Sequence, residues 1–312
     1  MKTLICGSMA YDTIMVFEDR FQHHILPEKI HILSVAFLVP EMRKEFGGTA
    51  GNIAYNLKLL GESPMIMATA GRDFADYSQR LKDLDIDQGF IRLIPDSYTA
   101  QAFITTDLDD NQITAFHPGA MNFSHLNHIP DSQDVRFGLI APDGREGMMQ
   151  HARQFAAAQI PFLFDPGQGL PMFSGSELLA FLELASYLAV NDYEATLLCE
   201  KTGRSFDQLA AMVQAAVVTK GAEGSLIYAP EGLISIPAVR PEAVEDPTGC
   251  GDAYRAGLIY GLSRQWPWAK TGRLASLMGA LKIAHRGGQN HRYTRSEISH
   301  RFQQAFGIDM DS

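Results

Sequence analysis

Short apolar runs alternate with segments of helical period along almost the whole chain. Thr3–Gly7, Met65–Ala70, Phe137–Ala141, Phe162–Phe164, Tyr187–Val190 and Ala215–Thr219 have the length and continuity of buried strands, most of them closed by Gly, Asp or Pro. Between them, Ala50–Leu60 brings Ile53, Leu57 and Leu60 near one helical face. Phe74–Leu84, Glu146–Gln159, Phe206–Ala211, Gly251–Leu262 and Leu274–Ala284 read as further helices, and Ser225–Tyr228 with Leu233–Ile236 as a hairpin across Pro230, Glu231 and Gly232. Alternation of this kind predicts an α/β fold, a mostly parallel sheet with helices on both faces. Ligands of such sheets bind beyond the carboxyl ends of the strands, which is where the motifs below fall.

Two stretches break the alternation. Residues 11–45 carry period-two fragments among polar residues, and residues 98–118 read as two strands, TAQAFITT and QITAFH, joined by the turn DLDDN. Both are expected to form a small β-sheet lid over one domain that spans 1–312; two ordinary surface hairpins are the alternative. No repeat, linker or low-complexity segment interrupts the chain.

Composition narrows the function. The chain has 312 residues, 46% of them apolar and 20% charged, the make-up of an ordinary globular protein. Its formal net charge of −10 opposes nucleic-acid backbones and anionic membranes, so neither is an expected partner. An anionic ligand would need a local device, such as helix N-terminal amides, a metal ion or one placed base. Three cysteines, Cys6, Cys199 and Cys250, leave one unpaired in any scheme and form no C-x-x-C, which fits a reduced cytoplasmic protein. The opening MKTLICGSMAYD ends its apolar run at Asp12 without a cleavage pattern and reads as a first strand. No run reaches the roughly 18 apolar residues of a membrane span.

DPTGCGDAYRAG, Asp246–Gly257, carries the most chemistry. Gly249 and Gly251 allow a sharp turn into a helix. The amides of Gly249, Cys250 and Gly251 can converge there on an anion, such as a phosphoryl group in transfer. Asp252, at the same point, can accept the proton of an attacking hydroxyl. The alternative is a glycine-rich turn with Asp252 as helix N-cap. The stretch is neither a P-loop nor G-x-G-x-x-G, since Tyr254 takes the place of the third glycine.

This stretch resembles the C-terminal signature of the PfkB family of carbohydrate kinases. GGTAGN, Gly47–Asn52, resembles the N-terminal signature; NDYE, Asn191–Glu194, resembles the N-x-x-E motif; and TKGAEG, Thr219–Gly224, resembles the T-x-G-x-x-G turn. The four occur in family order and cover nearly the whole chain. The resemblance implies a ribokinase-like three-layer α/β/α sandwich with a β-sheet lid, and a phosphotransferase that uses ATP and Mg2+. It implies acceptor contacts from Gly47, Gly48 and Asn52, catalysis by Asp252 with the Gly249, Cys250 and Gly251 amides, and a nucleotide groove of Asn191, Thr219, Gly221 and Gly224. Glu194 would hold magnesium through water. Arg255, one turn after Asp252, reaches a phosphate or a surface ion pair, and Lys220 touches a phosphate or is solvated. A monovalent cation such as K+ and a homodimer formed lid to lid are further family traits.

Within the family the chain is most similar to bacterial adenosine kinases, through CGSMAYD, which contains Ser8, and through LPEKIH, AFLV, AGRDFADY and AFHPGAM. The resemblance implies that Ser8 and Asp12 bind the acceptor, with Asp12 gripping vicinal hydroxyls. Phe116 would face a purine, and Gln168 would hydrogen-bond the substrate. Phe37 and Phe103 are expected to pack within the lid. Ala36, Ala102, Gly169 and Cys250 depart from that pattern, and the Cys250 thiol is a candidate for oxidation. The expected reaction is phosphorylation of the 5′ hydroxyl of a nucleoside, adenosine above all. A ribokinase- or fructokinase-like sugar kinase is the alternative, and a non-catalytic sensor on the same fold is a further one.

Overall fold

The computed structural model describes residues 2–25, 32, 34–109, 111–130 and 134–311. The segment LPEKIH lies outside them. A nine-stranded sheet runs in the order β13-β12-β11-β10-β9-β8-β1-β4-β5. Its central strands are β1 (Lys2–Cys6), β4 (Met65–Gly71), β8 (Val135–Ile140), β9 (Phe162–Phe164), β10 (Tyr187–Asn191) and β11 (Ala215–Thr219), all parallel to their neighbours among these. β5 (Asp87–Ile94) adds a parallel edge, and β12 (Ser225–Ala229) with β13 (Gly232–Ile236) the expected antiparallel hairpin at the other.

The central strands are apolar throughout because both faces are covered. Ile5 points into one core and Leu4 and Cys6 into the other, as a side-chain period of two requires. The first core is closed by α1 (Thr49–Leu59), α2 (Ala75–Asp83), α7 (Cys250–Ser263), α8 (Trp268–Ile283) and α9 (Arg295–Phe306). The second is closed by α3 (Arg145–Ala157), α4 (Gly175–Leu184), α5 (Asp192–Thr202) and α6 (Phe206–Ala210). This is the ribokinase-like sandwich that the resemblance implied.

The lid is a separate four-stranded sheet in the order β3-β2-β6-β7. β2 (Ala10–Val16) pairs antiparallel with β3 (Glu41–Gly47) and parallel with β6 (Ala100–Thr106), which pairs antiparallel with β7 (Gln112–His117). The β2–β6 ladder joins the two irregular stretches, so they are one sheet and not two hairpins. Phe37 packs on Phe17 and Phe21, with ring centroids 4.8 and 5.0 Å away, in keeping with its expected packing role.

β4 lies on one side of β1 and β8 on the other, so the strand order reverses at β1. A crevice opens at the carboxyl ends of strands on either side of such a reversal. Residues at the carboxyl ends of β8, β9, β10 and β11, on one side of that reversal, line a cavity.

Candidate active site

A cavity of about 670 Å³ lies beyond those strand ends. Gln168, Asn191, Glu194, Thr219, Gly221 and Gly224 line it on one side, and Gly249–Asp252 with Arg255 on another. Residues of three distant motifs, NDYE, TKGAEG and the turn into α7, thus share one surface with Gln168. Ser8, Asp12, Gly47, Gly48, Asn52 and Phe116 lie outside this lining, and Asn52 touches it through Asp252.

The start of α7 sets that meeting point. Gly249 has φ +76°, and a Cβ there would stand 3.2 Å from the Gly288 Cα, so only glycine fits. No side chain caps the helix. The Cys250 amide donates to the Pro247 carbonyl at 3.1 Å and closes the turn. The expected anion nest is therefore corrected: Cys250 contributes its amide to the turn and not to an anion. The amides of Gly249, Gly251 and Asp252 find no backbone acceptor among the described residues, and Gly251 is exposed. Unpaired amides at a helix N-terminus attract negative charge. Burial pushes the Cys250 thiol up to about 11, so little thiolate forms near neutrality and the expected oxidation has little to act on.

Asp252 sits in the first turn of α7 and not at its N-cap, which is Gly249. Asn52, in the first turn of α1, donates from Nδ2 to Asp252 Oδ2 at 2.8 Å. The Asn52 orientation is itself set, because its Oδ1 accepts from Gln289 Nε2 at 3.1 Å. Gln289 Nε2 also donates to the Tyr77 hydroxyl at 2.6 Å, and Tyr77 donates to the Gly47 carbonyl at 2.8 Å. Burial pushes the Asp252 carboxyl up to about 7; the Asn52 hydrogen bond opposes this and Asp165 adds to it. A carboxylate poised near neutrality at open amides suits general-base work.

The glycine pair before α1 has a local cause. A Cβ on Gly47 would overlap the Asp12 carboxylate, and one on Gly48, at φ +84°, would overlap the backbone of Ser8 and Ala10. Asp12 thereby lies against the loop, and burial, with Asp246 and Glu45, pushes it up to about 6. Ser8 behaves differently from expectation. Its hydroxyl meets Thr49 Oγ1 at 3.2 Å and accepts from the Thr49 amide at 3.2 Å, which caps the start of α1; the side chain is engaged in this joint and not presented to an acceptor. Register places Phe116, Ala102 and Asp12 side by side on one lid face, with Phe116 48% exposed. Phe103 alternates to the opposite face.

On the other wall, Asn191 and Glu194 form a reciprocal capping box at the start of α5, with bonds of 2.7 and 2.8 Å. The box uses Glu194 Oε2. Burial raises the Glu194 pKa, and Asp165 adds to the rise. Arg255 is buried, which excludes the surface ion pair. Its Nε and Nη2 donate to Asp165 at 3.0 and 3.1 Å, and Nη2 stands 4.0 Å from Glu194. Burial alone would lower the Arg255 pKa; Asp165 and Glu194 outweigh it. Lys220 pairs with Glu223 at 3.6 Å, the solvated alternative.

No group of three or more His, Cys, Asp and Glu side chains gathers as a metal cage among the described residues. Glu194 and Asp165 offer only oxygen donors on the cavity wall. That suits magnesium, which keeps several waters and uses one or two carboxylates with substrate phosphates. Sequence reasoning missed Asp165, Gln289 and Tyr77. Asp165 carried a signal, an acid directly after a buried strand. Gln289 carried none.

Comparison with known proteins identifies the family. The model of the pfkB family carbohydrate kinases matches residues 10–295. The structure of Burkholderia thailandensis nucleoside kinase in complex with inosine is 55% identical, covers 98% of this chain and 99% of its own, and superposes with a TM-score of 0.90. The same protein in complex with ADP-inosine is 56% identical, with a TM-score of 0.88 and coverage of 98% and 97%. A nucleoside kinase of Methanocaldococcus jannaschii is 31% identical over 279 residues, 88% of this chain and 91% of the relative. The lid, the glycine-rich turn into α7 and the match over 10–295 agree: the chain belongs to the pfkB family of carbohydrate kinases, phosphotransferases with an alcohol group as acceptor.

Proposed function

We propose that this enzyme transfers the γ-phosphoryl of ATP to the 5′ hydroxyl of a purine nucleoside, adenosine among them. The observation that carries the reading is Asp252, held by Asn52 at the open N-terminus of α7, where the acceptor wall meets the cavity. Similarity to a nucleoside kinase solved with inosine and with ADP-inosine supports the acceptor class.

The acceptor ribose lies between Asp12 and Asn52, with its base toward Phe116. Asp252 takes the proton of the 5′ hydroxyl. The oxygen then bonds to the γ-phosphorus as the bond to the β–γ bridging oxygen breaks, releasing ADP. The amides of Gly251 and Asp252 meet the charge on the transferring group, where preorganised donors act most strongly. Magnesium, held through water by Glu194, would neutralise phosphate charge. Arg255, clamped by Asp165, holds the wall of the groove, and lid closure keeps out competing water.

The test is ADP release from Mg-ATP with adenosine, inosine, ribose, fructose and fructose 6-phosphate as separate acceptors. Stacking of a base on an aromatic side chain contributes about 1–3 kcal/mol. A purine nucleoside should therefore exceed ribose in kcat/KM by about tenfold to a hundredfold. A higher value for any free sugar overturns the nucleoside reading and favours a sugar kinase.

We also propose that the lid pairs with a second copy of itself. On the face opposite Asp12, Met42, Phe103 and Ile113 are 70%, 40% and 43% exposed and lie in two neighbouring rows of the sheet. An apolar face on a small sheet calls for a cover. Sedimentation should give a dimer, with Ile113→Lys shifting it toward monomer; a monomeric wild type at micromolar concentration refutes the pairing.

A further inference from the structure

Lys282, in the last turn of α8, is wholly buried. Its ammonium donates to the carbonyl oxygens of Asp246 and His285 at 2.7 and 2.9 Å. Among the described residues no carboxylate lies within ion-pair distance of it. A buried ammonium carries a desolvation cost of several kcal/mol, and a leucine or methionine would fill the same space without it. The charge therefore answers some other demand, and its position identifies that demand.

Both carbonyls belong to segments that bear on Asp252. Residues 245–249 lead into α7. The amides of Glu245 and Asp246 donate to Ile283 O at 2.9 and 3.2 Å, and the Asp246 carboxylate accepts from Thr248 and Gly287, each at 2.8 Å. On the other side, residues 285–289 pass from His285 through Gly288 to Gln289. Gly288 lies so close to Asn52 that a Cβ on it would overlap the Asn52 amide. Gln289 orients Asn52 directly. One ammonium thus ties the loop that supplies the open amides to the loop that aims the partner of Asp252.

Carbonyl oxygens that converge on the Lys282 ammonium can accept a free potassium or ammonium ion in its place. We propose that Lys282 is a tethered monovalent cation for phosphoryl transfer, a positioning residue whose ammonium orders the 246–251 loop and makes the enzyme independent of added potassium. The inference rests on the reading of that loop as the phosphoryl-transfer site.

The experiment measures kcat and KM for wild type and Lys282→Ala at fixed Mg-ATP and fixed ionic strength, in choline, potassium, ammonium or tetramethylammonium chloride. Wild type should keep one rate in all four. Lys282→Ala, checked for native circular dichroism, should lose kcat in choline by about 10- to 100-fold, the usual loss when a supporting contact to a charged centre is removed. The acceptor KM should change far less. Potassium or ammonium should restore most of the lost kcat with saturation, and tetramethylammonium, too large for the vacated space, should not. A purely structural lysine would not respond to ion identity. Activation of wild type by potassium overturns the inference. So does a folded Lys282→Ala of normal kcat in choline, or one that no small cation restores. If Lys282→Ala does not fold, Lys282→Ser, which vacates the same space, takes its place in the rescue series. Asp252→Asn is assayed alongside. Activity there would refute the site reading, whereas an inactive Asp252→Asn with an unaffected lysine variant refutes this inference alone.

Discussion

Asp252→Asn lowers kcat by about 10²- to 10⁴-fold, the range that a positioned general base contributes. Asparagine matches the aspartate in shape and can still accept from Asn52, so the wall and the KM values for ATP and acceptor should hold. The wild-type pH profile provides a second, independent readout. Because burial pushes the Asp252 carboxyl up to about 7, the base is largely protonated at pH 6 and ionised at pH 8. The kcat/KM of wild type should rise through about pH 7 and flatten above it, and the rise should vanish in the residual activity of Asp252→Asn. Stability moves the opposite way. Between the ordinary aspartate pKa and about 7 the folded protein binds more protons at this site than the unfolded chain, so this contribution falls as pH rises. The substitution removes that loss and should make the variant the more stable protein above pH 7. Near-wild-type turnover, or an unchanged pH profile, would refute the assignment of the base.

Arg255→Met should cost about 3–5 kcal/mol of folding stability, read from urea unfolding, because it strands the Asp165 carboxylate without its partner in a buried site. Arg255→Lys should recover little, since a lysine cannot reproduce the two-pronged contact of the guanidinium. The double variant Asp165→Leu, Arg255→Met decides between loss of the pair and loss of one partner. Replacing a whole buried pair by apolar groups is often neutral for folding. Its stability should return toward wild type while activity stays low, because Glu194 and the cavity wall lose the cation that faces them. A loss below about 1 kcal/mol in Arg255→Met would mean that water reaches Asp165 and that the pair is not the anchor its burial indicates.

The elements most legible in the sequence are those whose environment is uniform. β1, β4, β8, β9, β10 and β11 are covered on both faces and therefore read as unbroken apolar runs. β5 escapes that pattern, since an edge strand with one wet face mixes Asp87, Gln88 and Arg92 among its apolar residues. α4 and α9 escape it too, although each opens on a reciprocal capping box, at Ser174–Glu177 and Thr294–Glu297, that the spacing of a hydroxyl and a glutamate can reveal. The same box at Asn191–Glu194 stands out in the sequence only for its chemistry, and it serves as both helix start and cavity wall.

By itself the sequence determined the layered α/β order and the two stretches that form the small sheet, and it singled out four motifs, because each is written in consecutive residues: an apolar period, a glycine pair, an acid beside a glycine turn. Only the tertiary structure decided which groups act on one another. Asn52 meets Asp252 across 200 positions, Gln289 meets Asn52 across 237, and Arg255 meets Asp165 across 90. Burial raises the Asp252 pKa against the pull of Asn52, Asp165 holds Arg255, Thr49 takes up the Ser8 hydroxyl, and Lys282 lies buried between two carbonyls. Local propensity is a property of neighbours along the chain, whereas desolvation and charge depend on neighbours in space, which one chain's residue pattern does not record.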